Sequence, residues 1–128
     1  METLIYLDTH VVIWLYAGRT DLLSARAMES VQKGNLVYSP IVRLELQYLL
    51  ETDRITKRPD KILDALSVEI GLHPDHSDFS TIIGQALQMD WTRDPFDRII
   101  TAQASVNQAY LLTKDQSIIG HYKKAFWA

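Results

Sequence analysis

Two short apolar runs, each closed by an aspartate, lie near opposite ends of the chain: TLIYLD at residues 3–8 and AYLLTKD at residues 109–115. Apolar runs of this length without polar alternation are the pattern of strands buried on both faces. Such strands need helices on each side of the sheet, and the sequence between them supplies candidates. THVVIWLYAG reads as a helix closed by Gly18, and Ser24 caps a second through Lys33 with Gly34 as its stop. NLVYSP (35–40) predicts a second strand, after which Ser39 and Pro40 supply an N-cap and N1 for a third helix, IVRLELQYLL. RPDKILDALSVEIG gives a helix begun at Pro59, GLHPDH a short third strand or extended turn, and SDFSTIIGQALQMDW a helical period despite Gly84. In TRDPFDRIITAQA (92–104), Asp94 suits N-cap, Pro95 N1 and Asp97 N3 of a helix ending near Asn107. Alternating strands and helices predict an α/β fold, with a central mainly parallel sheet of four to five strands and helices on both faces.

No Pro/Gly/Ser-rich linker or internal repeat interrupts the pattern, so residues 1–128 are expected to form a single domain. The absence of cysteine excludes disulfides and thiolate metal sites. The amino-terminal apolar run is broken by Asp8 and has no basic flank, which argues against a signal peptide or membrane span and for a cytoplasmic protein. The net charge of −3 argues mildly against a generic nucleic-acid binder. That argument weakens if several acids neutralise a metal instead of facing solvent.

Four acids fall where chemistry would need them. Ligands of open parallel sheets bind beyond the carboxyl ends of the strands, where Asp8 and Asp115 terminate predicted strands. Either could equally be an ordinary cap on the next helix. Glu45 lies between Ile41 and Leu49 on the apolar arc of its helix, while Arg43, Gln47 and Glu51 occupy the opposite face. An unpaired buried carboxylate costs several kcal/mol, so Glu45 requires a distant cationic side chain or a metal. Asp97 borders an apolar arc beside Ile100 and Ala104, whereas Asp94 points back at its own helix. Like charges gathered at one site raise each other's pKa, and a divalent cation removes the conflict. An all-oxygen donor set favours Mg²⁺ or Mn²⁺ over zinc.

At these residues the sequence resembles a PIN-domain ribonuclease, specifically the VapC-type toxin of bacterial and archaeal toxin–antitoxin pairs. The pieces that carry the resemblance are YLDTHVVIWL, SPIVRLELQYL, RDPFDRIITAQA and LLTKD, in that order from residue 6 to residue 115. The resemblance implies metal-binding catalytic acids at Asp8, Glu45, Asp97 and Asp115, with Thr113 as a neighbouring hydroxyl. Asp97 takes the third role because DRIITA follows the family's D-x-x-I-x-A pattern. His10 stands where many PIN domains carry Asn or Ser, a minor departure. The resemblance further implies Mg²⁺- or Mn²⁺-dependent endonucleolytic cleavage of RNA, a homodimer, and inhibition by a VapB-like antitoxin.

Arg43, Arg93, Arg98 and Lys114 are candidate phosphate contacts, each with a solvated surface charge as the plainer reading. HPDH (73–76) reads as surface loop more readily than as a metal pair, and Trp14, Tyr16, Tyr48 and Phe96 as core or dimer seam. Two other functions remain open. A phospho-accepting receiver domain has similar length and strand-end aspartates, but usually carries paired acids after its first strand. A PIN fold without catalysis could serve purely as a binding module.

Overall fold

The computed structural model describes residues 3–128. Its sheet has five strands in the order β3-β2-β1-β4-β5, numbered along the chain: β1 Leu4–Leu7, β2 Asn35–Tyr38, β3 His73–Pro74, β4 Tyr110–Leu112 and β5 Ala125–Phe126. All four pairings are parallel, with Ile5 opposite both Leu36 and Tyr110. Seven α-helices flank the sheet among the described residues: α1 Thr9–Tyr16, α2 Ala25–Lys33, α3 Ile41–Glu51, α4 Pro59–Ile70, α5 Phe79–Ala86, α6 Pro95–Val106 and α7 Gln116–His121. The α/β class and the four strands read from sequence are therefore present. Receiver domains follow the doubly wound order 2-1-3-4-5, so this strand order removes the receiver alternative.

The central strands are buried as their sequences demand. Tyr6, Leu7, Leu111 and Leu112 are fully enclosed, and the main hydrophobic cluster wraps them with Val12, Val42, Leu46, Leu66 and Ile100. A small satellite cluster of Ile82, Ala86, Met89 and Ala102 joins α5 to α6. Gly34 ends α2 in a tight place. A Cβ there would lie 2.6 Å from the Ile5 side chain and 2.8 Å from the Ser30 carbonyl oxygen.

Three local expectations need correction. Pro40, not Ser39, is the N-cap of α3, and it has no side chain to cap with; Ser39 Oγ accepts only a long 3.4 Å bond from the Ile41 N–H. Helix α5 stops at Ala86 instead of continuing to Trp91. The Arg98 guanidinium donates to the carbonyls of Ala86 (3.5 Å) and Thr92 (2.8 Å), so the intervening backbone is held in a non-helical path. Finally, the sequence reading contained neither α7 nor β5. A six-residue helix carrying Gly120 and a two-residue strand are too short to show a period.

The strand order fixes where a site can form. The chain moves outward from β1 through β2 and β3, then returns to the other side of β1 with β4. The topological switch point therefore lies between β1 and β4, and ligands bind such sheets beyond the carboxyl ends at that point. Asp8 follows β1 directly, and its N–H extends the ladder by donating to the Leu112 carbonyl at 3.1 Å. Thr113 and Asp115 follow β4.

Candidate active site

A cleft of about 470 Å³ opens at that switch point, lined by Asp8, His10, Trp14, Glu45, Asp94, Asp97, Lys114 and Asp115. Three of its acids cap helices. Asp8 Oδ1 accepts from the Thr9 N–H at the start of α1 (2.8 Å). Asp94 Oδ1 accepts from the Phe96 and Asp97 N–H groups at the start of α6 (2.8 and 3.2 Å). Asp115 Oδ1 accepts from the Ser117 and Ile118 N–H groups at the start of α7 (2.8 and 3.1 Å). Three helix amino termini thus face one cleft, and their positive ends offset part of the negative charge gathered there.

Thr113 is fully buried and donates its hydroxyl to Asp8 Oδ2 at 2.6 Å, while its Oγ1 accepts from the Asp115 N–H at 3.1 Å. It therefore ties two of the acids together. Glu45 is buried, and its Oε1 accepts from the Thr9 hydroxyl at 2.5 Å. Burial is what the apolar arc predicted for Glu45; among the described residues no salt bridge reaches it, and the hydroxyl that holds it was not anticipated. Thr9 follows a strand-end acid and reads locally as an ordinary first-turn residue. Only the packing of α1 against α3 shows that its hydroxyl faces a second carboxylate. His10 and Trp14 also line the cleft, one turn apart on α1.

Asp97 stands apart from the other acids. Among the described residues its carboxylate accepts no hydrogen bond, and no salt bridge reaches it. Desolvation, then the charges of Asp94, Asp8, Asp115 and Glu45, push its pKa up to about 7. Burial is also the main cause raising Asp8 and Glu45, opposed by the Thr113 and Thr9 hydroxyls respectively. The cleft is thus a set of oxygen donors in electrostatic conflict, with too little positive charge to resolve it. That chemistry fits a hard divalent cation. Among the described residues no three carboxylate or imidazole groups are already drawn into a closed ligand set. The caps and threonine hydroxyls hold the acids around the cleft instead.

The four candidate basic residues separate clearly. Lys114 lines the cleft, with its Nζ 5.9 Å from the centre of the Trp14 ring. Arg43 points away from it and pairs with Asp60 on α4 at 2.7 Å. Arg93 is exposed and donates to the Asp90 carbonyl at 2.9 Å. Arg98 is committed to the carbonyls of Thr92 and Ala86, which makes it a tether for the segment leading into α6. Arg98→Ala should therefore lower stability by roughly 1–2 kcal/mol of charge-assisted bonding, seen as a lower melting temperature. Calorimetry of the variant measures the loss, and an unchanged melting temperature would contradict the tether.

The PIN domain family model matches residues 5–124, and the chain belongs to that family. Among solved structures it is similar to a chain of VapBC2 from Rickettsia felis bound to a DNA fragment from their promoter, with a TM-score of 0.67 and 17% identity over 98% of this chain and 100% of that one. A toxin–antitoxin complex from Klebsiella pneumoniae gives a TM-score of 0.67 and 18% identity over 95% of each chain. VapBC-1 from nontypeable Haemophilus influenzae gives 0.60 and 16% over 98% and 97%. At such identities the likeness is one of fold. No curated protein sequence matched the chain significantly.

Proposed function

We propose that this PIN domain is a Mg²⁺- or Mn²⁺-dependent endoribonuclease, acting as the toxin of a toxin–antitoxin pair. The observation that carries the reading is the Asp97 carboxylate, half-buried, without a hydrogen bond, and surrounded by four other acids. Such a group has no structural benefit to the fold; it is intelligible as a donor awaiting a cation. Asp8, Glu45, Asp97 and Asp115 would hold the metal, with Asp94 chiefly the cap that aims α6. A bound Mg²⁺ or Mn²⁺ lowers the pKa of water and neutralises charge developing on a phosphate. Thr113 and Thr9 fix the orientation of Asp8 and Glu45, so little reorganisation is needed at the moment of reaction. In-line attack on RNA at this cleft would leave a 5′-phosphate and a 3′-hydroxyl.

The toxin role is supported by solved relatives that are toxin–antitoxin complexes, and by a family whose VapC-type members the sequence motifs resemble. A VapB-like antitoxin and a second copy of the chain are the partners this reading supplies. No helix among the described residues is long and apolar enough to cross a membrane. Two experiments test the proposal. Thorough chelation should abolish cleavage of RNA and added Mn²⁺ restore it; cleavage that survives chelation overturns the metal mechanism. Induction of the wild-type chain without its antitoxin should arrest growth, and Asp8→Asn should not; equal arrest by both would remove the catalytic basis of toxicity.

A further inference from the structure

Two aromatic rings, Tyr48 and Phe96, meet between α3 and α6, each on the same helix as an acid that lines the cleft. Tyr48, 46% exposed, lies one turn beyond Glu45 on α3. Phe96 lies between Asp94 and Asp97 in the first turn of α6. Their ring centres are 5.8 Å apart, with the planes tilted by 37°. The sequence periods read both rings as core or dimer seam; Tyr48 is exposed, and Phe96 is not among the partly buried residues packed against either hydrophobic cluster. Trp14 and Tyr16, read the same way, do pack against the main cluster. Each ring of the outer pair is thus within three residues of a proposed metal ligand, and the two rings contact each other.

The electrostatics of the cleft explain what such a pair can do. Single-stranded nucleic acid is usually held by cations along its backbone together with aromatic faces for its bases. Here five acids line the cleft against Lys114, Arg43 is neutralised by Asp60, and Arg98 is committed to backbone carbonyls. Under the metal reading, attraction for the backbone is concentrated at the reacting phosphate, on the cation and Lys114, and the neighbouring nucleotide is left to be held by stacking. We propose that Tyr48 and Phe96 form a stacking platform that holds the nucleobase adjoining the scissile phosphate and so places that phosphate over the acids. The proposal rests on the ribonuclease reading and adds to it the residues that position the substrate.

The test uses Tyr48→Leu and Phe96→Leu, singly and together, with Tyr48→Phe and Phe96→Tyr as conservative partners. On a single-stranded RNA oligonucleotide cleaved at one position, each leucine variant should raise KM about tenfold with a smaller change in kcat, and the conservative variants should restore it. An oligonucleotide lacking the base beside the cut should be a poor substrate for wild type and no poorer for the double leucine variant. Binding is read separately, by anisotropy of the labelled oligonucleotide with Ca²⁺ in place of Mg²⁺. Cleavage indifferent to both rings, or an abasic penalty equal in wild type and variants, overturns the platform and leaves the ribonuclease standing. Ring-dependent binding without any hydrolysis overturns the ribonuclease and, with it, the placing of a scissile phosphate, leaving the rings as a base-binding contact only. Sedimentation of each variant completes the test: a KM effect that tracks loss of a dimer overturns the platform and reassigns the rings to contact between copies.

Discussion

Asp97→Asn is expected to eliminate cleavage while making the metal-free protein more stable. Loss of one donor from a metal site removes several kcal/mol of transition-state stabilisation, which at about 1.4 kcal/mol per tenfold is a fall of roughly a hundredfold or more. The stability gain follows from the position of the carboxylate. It takes no hydrogen bond that asparagine would lose, and four acids together with burial push its pKa up to about 7. Because Asp97 is half-buried, solvent screening reduces the penalty to roughly 1–2 kcal/mol, or several degrees in melting temperature for a chain of this length. Differential scanning calorimetry near pH 8 without metal measures the gain, and cleavage of labelled RNA measures the loss. Asp94→Ala should show the opposite balance: about 1 kcal/mol of lost capping to Phe96 and Asp97, with cleavage largely retained. If the two variants exchange behaviours, the third donor is Asp94.

The second large effect concerns pH. Asp97 has a folded pKa of about 7 against an ordinary 3.8, so it stays protonated in the fold after it has ionised in the unfolded chain. Stability falls wherever the folded state binds more protons. The contribution is therefore intact below about pH 4, declines as pH rises toward about 7, and stays reduced above it. Asp8 and Glu45 are raised in the same direction and add to the decline. The Asp78 cap and the Arg19–Asp21 pair are lowered carboxylates acting oppositely, but they are fully exposed. In the metal-free protein, melting temperature should drop between about pH 4 and 7, and saturating Mn²⁺ should recover most of the loss at pH 8. A ligand at one hundred times its dissociation constant adds about 2.7 kcal/mol. A flat profile, or one in which Asp97→Asn declines as steeply as wild type, would contradict the assigned cause.

The sequence revealed most where a residue's problem was local. Strands buried on both faces betray themselves by unbroken apolar runs, and Asp94 by its spacing to Pro95. Glu45 was visible as a carboxylate inside an apolar arc. The remainder depended on neighbours distant in sequence. Thr9 becomes a support for Glu45 only once α1 meets α3, and Arg98 became a tether because α5 ends beside it. Periodicity left Tyr48 and Phe96 open between core and dimer seam, since an apolar stripe shows which residues share a face but not whether another element covers it. The short α7 and β5 carry too few residues for a pattern, yet α7 is the helix that Asp115 caps.

The hydroxyl of Thr113 reaches Asp8 across 105 residues of chain. That span bears on folding. Closing so long a loop is an entropic cost, so the pairing of β4 with β1 is expected to form late, as low φ-values at Leu111 and Leu112 would show. Asp8 and Glu45 are linked through Thr9 of α1 and do not need β4, whereas Asp115 follows β4 and joins the set only with it. A chain in which β4 has not yet docked lacks the full set of acids that the proposed chemistry needs, so under the nuclease reading activity is expected only once that strand has joined the sheet.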